Sequence, residues 1–214
     1  MQTRPYPSDD GKRVWLSRDD RADLLDAVDE QPKRKLAFEL ALHGLRSDEV
    51  VRVAREDFRP LNGEDGGYKL NIPLEKSGYG RECPVLGSLQ SDAEMIANLT
   101  GARKGEALVD VSTKSLRDWI ATAREKAAED ADTERQRRAW SHVGMHDLRR
   151  TWATDTFYTL AFDGVPIAEE LTMGWGGWSM TSKGRETFRE NYLGPEPDHI
   201  AGRAMEVLKG DTEQ

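Results

Sequence analysis

HDLRRTWAT, from His146 to Thr154, places a histidine, two adjacent arginines, two threonines and a tryptophan within nine residues. In a helix, His146 and Arg149 are three apart and share a face, while Arg150 points elsewhere. An arginine fork binds two phosphate oxygens at once and keeps its charge. A histidine beside it can pass a proton or donate a hydrogen bond to the same group. The pair suits a phosphodiester whose negative charge grows in a transition state. An arginine paired with Asp147 or other acidic neighbours is the plainer alternative.

Three other positions carry related chemistry. Arg46 in HGLRSDEV follows a Gly-Leu turn and precedes a helix, whose N-terminus would add partial positive charge. Glu49, one turn on, can orient Arg46, although an ordinary surface ion pair has the same spacing. Lys76 in LEKSGYGRECPV falls on a turn, where a mobile ammonium can protonate a leaving oxygen; turns also favour lysine for no chemical reason. Tyr192 in FRENYLGP carries a hydroxyl that ionises near pH 10 in isolation and becomes a nucleophile only among cations. Packing of a C-terminal helix is its alternative role.

These residues need a scaffold. SRDD, Ser17 to Asp20, is an N-cap with an acidic residue at capping-box distance, and Leu24, Leu25 and Val28 follow at helical spacing. KRKLAFELALHG reads as a second helix or another buried segment, and SDEVVRVA restarts a helix at Ser47. Between Phe58 and Leu86, two turn-rich clusters flank the alternating YKLNIPL, which predicts a small antiparallel sheet. Helical patterns return after Ser91, most clearly in SLRDWIATAREKA. EDADTERQRR reads as polar and exposed, TWATDTFYTL continues the HDLRR helix, and DGVPIAEELTMGW is a turn and a short helix. SMTSKGRETFRENYLG looks less regular, and IAGRAMEVLKG closes the chain as a helix. The fold class expected is α+β, mainly α-helical with a small antiparallel β-sheet.

The chain has 214 residues and a formal net charge of -8, with 39 acidic against 31 basic side chains. No apolar run reaches bilayer-spanning length, and the N-terminus lacks a signal-peptide core, so a soluble cytoplasmic protein is expected. Cys83 alone allows neither an intrachain disulfide nor a cysteine zinc cluster. The acidity argues at first against nucleic acid. The basic residues, however, are mostly arginine, a balance expected of a salt-rich cytoplasm such as that of a halophilic archaeon or its virus. At molar salt the screening length falls to roughly 3 Å, so contact-range groups decide binding.

Taken in order, the Arg in GLRSDEV, a turn lysine, HDLRRTWAT, the Gly-aromatic box MGWGGW and a tyrosine before a final helix resemble the catalytic domain of the tyrosine recombinases, or phage integrases. The resemblance runs from about Trp15 to the C-terminus, and HDLRRTWAT is its most specific part. It implies that Arg46 and Arg149 clamp the scissile phosphate, with Glu49 supporting Arg46. His146 assists proton transfer, Lys76 is the general acid on the 5′-oxygen, and Tyr192 attacks to leave a 3′-phosphotyrosine. Trp175 takes the place of a histidine common in the Gly-aromatic box, with Trp178 its rival. The interval from Trp175 to Tyr192 is longer than usual, as an insertion such as SKGRETFRE would explain. Neither metal nor other cofactor is implied.

The partner implied is double-stranded DNA, met by a monomer or dimer that forms a homo-tetramer at synapsis, with no membrane involved. Residues 1–13 are expected as a flexible lead-in and 14–214 as one catalytic domain including the C-terminal helix. No N-terminal core-binding domain is expected in this chain. The helix after Tyr192 would dock on a neighbouring protomer or on its own core. The functional expectation is a site-specific recombinase. Its alternatives are a catalytically inactive DNA-binding regulator of the same fold and a nicking enzyme like the type IB topoisomerases.

Overall fold

The computed structural model describes residues 1–6, 11–62, 67–72 and 80–210. The chain runs β1 (Gln2–Pro5), β2 (Lys12–Trp15), α1 (Arg18–Asp26), α2 (Pro32–Leu42) and α3 (Ser47–Val50). Strands β3 (Phe58–Pro60), β4 (Tyr68–Ile72) and β5 (Arg81–Val85) follow. Then come α4 (Gly87–Thr100), α5 (Thr113–Glu129), α6 (Glu134–Trp140), α7 (Met145–Phe162), α8 (Ala168–Gly176), α9 (Ser182–Asn191) and α10 (Asp198–Gly210). The class is α+β, mainly helical, as the hydrophobic patterning predicts.

Helix α7 is the centre. Its stretch from Asp147 to Thr154 is buried throughout, including Trp152 and Ala153, because α2, α8 and β2 pack around it. The capping box at Ser17 forms as expected, with the Ser17 side chain accepting from the Asp20 amide and Asp20 from the Ser17 amide. The sheet is antiparallel in the order β3-β4-β5, with Phe58 opposite Leu70 and Leu70 opposite Cys83. Alternation along β5 buries Arg81, Cys83 and Val85 together.

Three expectations are corrected. The lead-in is not simply flexible: Gln2–Pro5 pairs antiparallel with Lys12–Trp15. Pairing satisfies its backbone, and the Arg4 and Arg13 guanidiniums cover the rings of Trp15 and Tyr6. The polar stretch EDADTERQRR is largely exposed, as expected, and leads into the buried Ala139 and Trp140 at the end of α6. The irregular-looking SKGRETFREN is the amphipathic helix α9, held by Phe188 on one face and by Arg185 and Arg189 pairing with Glu169. The helix restarting at Ser47 is a single turn. Helix α10 docks on α7 of its own chain through buried Ile200 and an Arg203–Asp163 ion pair.

One contact between helices predicts a pH dependence. Glu39 on α2 has Oε2 buried with no partner among the described residues. Burial, with the Asp92 carboxylate of α4 nearby, pushes its pKa up from 4.5 to about 7. The folded state therefore holds this proton where the unfolded chain has released it, so stability drops as pH rises from 4.5 through 7. Glu39→Gln is expected to raise the melting temperature at pH 8 by a few degrees and to leave it almost unchanged at pH 4.5, as thermal denaturation followed by circular dichroism will show.

Candidate active site

The first turns of α7 carry HDLRR, and its two arginines and its histidine take different directions. Arg149 turns inward and is 1% exposed. It donates to the carbonyl of Gly44 and, at 2.6 Å, to that of Gly176. Arg150 also lies buried, paired with Asp147 at 2.6 Å and donating to the Asn191 carbonyl. The Asp147 pairing weighed in the sequence thus belongs to Arg150 and leaves Arg149 to the site. His146 faces solvent at its edge and tilts against Tyr192, ring centroids 5.2 Å apart.

Arg46 stands where the chain leaves α2 for α3. Its Nη1 meets Glu49 Oε1 at 2.8 Å, its amide donates to Glu49 Oε2 at 2.6 Å, and Nη2 donates to the Gly177 carbonyl at 3.0 Å. With a side chain 34% exposed, Arg46 is the part of the arginine cluster that reaches solvent. Glu49, 3% exposed, also binds Arg81 Nη2 at 2.6 Å. Burial works against the Glu49 charge, but Arg81 and Arg46 outweigh it and hold its pKa below the ordinary glutamate range.

Arg81 is the functional candidate that motif reading missed. It is buried on β5 and also donates to the carbonyls of Gly44 and Trp175. The signal was the period of two, which puts Arg81 on the same face as Cys83 and Val85. Two arginines therefore pair with one carboxylate and Arg149 lies within its field, concentrating positive charge in a chain of net charge -8. Burial, then repulsion from Arg46 and Arg81, pushes the Arg149 pKa down to about 9, so it stays charged at neutral pH.

The Gly-aromatic box supplies carbonyls and a ring. Trp175 enters through its carbonyl, which accepts from Arg81. The ring stacked over Arg149 is that of Trp178, with the guanidinium carbon 4.2 Å from its centroid. Trp178 also meets Tyr192 edge-on at 4.5 Å and stacks on Trp152 at 6.2 Å. Gly176 is required for this, since a Cβ there would stand 1.8 Å from the Trp178 ring. Of the two tryptophans, the geometry brings the ring of Trp178 to the arginines. Helix α9 occupies the interval between the box and Tyr192.

Tyr192 caps α9, and its ring centroid lies 5.8 Å from the Arg149 guanidinium carbon. Lys76 lies outside the described residues, between β4 and β5 in sequence. Arg46, Glu49, His146, Arg149, Trp178 and Tyr192 thus come from four separate segments to one place. Beside them lies an open depression of about 320 Å³ lined by Gly177, Trp178, Ser179, Thr181, Lys183, Gly184 and Thr187. Among the described residues no group of three or more His, Cys, Asp or Glu side chains is placed to hold a metal ion.

Loss of water around its ring, then repulsion from Arg150, Arg149 and Arg46, pushes the His146 pKa down to about 4. At neutral pH the imidazole is therefore neutral, with a lone pair able to accept a proton. The His146 Cε1–H resonance is expected to titrate near pH 4 and to stay flat from pH 6 to 8. A midpoint near 6.5 in the NMR titration would mean that the exposed edge of the ring keeps it hydrated and that neither burial nor the arginines shift it.

No protein-family model matches the sequence, and no curated protein does. Solved structures do match. XerA recombinase aligns over 92% of this chain at TM-score 0.60 and 18% identity. The Tn1549 transposon integrase in complex with transposon right end DNA aligns over 95% at TM-score 0.55 and 17% identity. The fold is that of the tyrosine recombinase catalytic domain. The chain spans 65% and 68% of the lengths of those two proteins. At such identities the likeness is one of fold, so the chemistry of this tyrosine recombinase fold must be argued from its own side chains. No helix among the described residues is long and apolar enough to cross a membrane.

Proposed function

We propose that this chain is a DNA strand-exchange enzyme of the tyrosine recombinase type. The observation that carries the reading is the placement of Tyr192, with its ring 5.2 Å from that of His146 and 5.8 Å from the Arg149 guanidinium carbon. The Tyr192 oxygen attacks the scissile phosphorus and passes its proton to His146. The P–O5′ bond breaks, and Lys76 protonates the leaving 5′-oxygen. The DNA is left as a 3′-phosphotyrosine, which a 5′-hydroxyl attacks to rejoin the strand. Arg46 and Arg149 take the charge that grows on the non-bridging oxygens, with Glu49 and Arg81 fixing Arg46. Trp178 is the indole of the site. Catalysis then rests on positioning and on fixed positive charge, with no cofactor required.

Double-stranded DNA is the proposed partner, supported by the open depression beside the cluster and by the DNA-bound state of the Tn1549 integrase structure. Synapsis would use four copies. Incubation with a nicked suicide duplex of the cognate site tests the reading, with the protein–DNA adduct mapped by mass spectrometry. An adduct on Tyr192 supports it; binding of the site without any adduct overturns it. The burial of Arg149 beneath Trp178 favours one other reading, a DNA-binding protein that keeps the fold without the chemistry. The same assay separates the two.

A further inference from the structure

The last carbonyls of a helix have no partners within it, and Tyr192 sits among those of α9. Here they are taken up from outside. Arg13 of β2 donates to the Glu190 carbonyl at 2.7 Å and to the Asn191 side chain at 2.6 Å. Arg150 of α7 donates to the Asn191 carbonyl at 2.9 Å. The Tyr192 carbonyl accepts twice, from the Trp15 indole and from the Thr154 hydroxyl, each at 2.9 Å. The Thr154 hydroxyl oxygen also accepts the Gly194 amide at 2.9 Å. Gly194 lies so close to the Trp15 ring that a Cβ would stand 2.8 Å from it.

These donors are themselves fixed to the helix that carries His146 and Arg149. The Val14 amide donates to Asp147 at 3.0 Å and the Leu16 amide to the Thr151 hydroxyl at 2.9 Å. Asp147 in turn holds Arg150. Strand β2 and the buried face of α7 thus form one rigid seat for the tyrosine main chain. The two guanidiniums also oppose the negative end of the α9 dipole.

We propose that Trp15 and Thr154 are positioning residues, which hold Tyr192 of the same chain in line with His146 and Arg149 through its carbonyl. Arg13 and Arg150 extend the seat to the two preceding residues, Glu190 and Asn191. The proposal rests on Tyr192 being the nucleophile. It gives the N-terminal strand pair a role in strand cleavage, although none of its side chains touches the reacting atoms.

The test is single-turnover adduct formation on the suicide duplex, measured together with DNA affinity and with melting curves to confirm folding. Trp15→Phe keeps an aromatic side chain of smaller size and removes the indole N–H, so the melting curves report any loss of packing. Thr154→Val keeps the shape and removes the hydroxyl. Each is expected to slow adduct formation roughly 10-fold, and the pair roughly 100-fold, with DNA affinity unchanged. Thr154→Ser, which keeps the hydroxyl, is expected to recover most of the rate. Wild-type rates in Trp15→Phe and Thr154→Val overturn the proposal while leaving the enzyme reading intact. So does a loss of rate that follows DNA affinity or melting temperature and is not recovered by serine. A wild-type protein that forms no adduct overturns the enzyme reading, and the positioning role with it.

Discussion

Tyr192→Phe is expected to reduce the covalent protein–DNA adduct below detection while leaving DNA binding intact. The phenol oxygen is the only atom removed, and the ring contacts with His146 and Trp178 have the same shape without it. Phenylalanine therefore preserves the packing of α9 against α7, so the loss reports chemistry and not unfolding. The effect should be all-or-none, because a covalent route through the enzyme has no slower form once its nucleophile is gone. A residual adduct in the variant would move the nucleophile elsewhere, and Tyr158 would be examined next; it lies on α7 with its hydroxyl 3.5 Å from the Gly194 carbonyl. Gel-shift affinity and denaturing-gel adduct yield, measured on one preparation, separate these outcomes.

Glu49→Ala carries the second large effect, this time on stability as well as cleavage. The carboxylate is shared between Arg46 and Arg81 and lies within reach of the Arg149 field. Removing it leaves buried positive charge uncompensated, and breaking a buried pair in this way costs about 3–5 kcal/mol. For a domain of this size that lowers the melting temperature by on the order of 10 °C. Glu49→Gln should shift it in the same direction, since the amide keeps the volume but not the charge. Cleavage should fail in both, because Arg46 loses the group that aims it. A melting temperature within error of wild type would show that the carbonyls of Gly44, Trp175, Gly176 and Gly177 suffice to hold the arginines.

The parts of the site legible in the sequence are those made by local spacing. Arg46 and Glu49 flank one helix start, and His146 and Arg149 lie within one turn of α7, so each pair was legible from local spacing, while the meeting of the two pairs was not. The capping box at Ser17 and the strands around YKLNI were legible for the same reason. Arg81 was not, because an arginine in a short strand reads as solvated. Its burial depends on the Glu49 carboxylate and on carbonyls from Gly44 and Trp175, which only the tertiary fold brings near. Helix α9 was obscured by its charges, which are neutralised by Glu169 and Glu170 on α8 and not by neighbours in sequence. The choice between Trp175 and Trp178 also escaped sequence reading. A tryptophan three residues further on meets Arg149 because Gly176 lets its ring fold back over the backbone.

Arg149 beneath Trp178 is screened from small anions. Its two terminal nitrogens are occupied by the Gly44 and Gly176 carbonyls, its Nε has no partner among the described residues, and the indole covers its face. Inorganic phosphate or a free nucleotide, touching only exposed Arg46, offers little free energy to shift that ring. A duplex contacting many groups at once can supply it. The measured affinity for any anion is then its intrinsic affinity reduced by the fraction of molecules with Arg149 uncovered. That fraction acts as a filter, which disfavours any anion that reaches only Arg46 and favours a long one that covers the whole cluster.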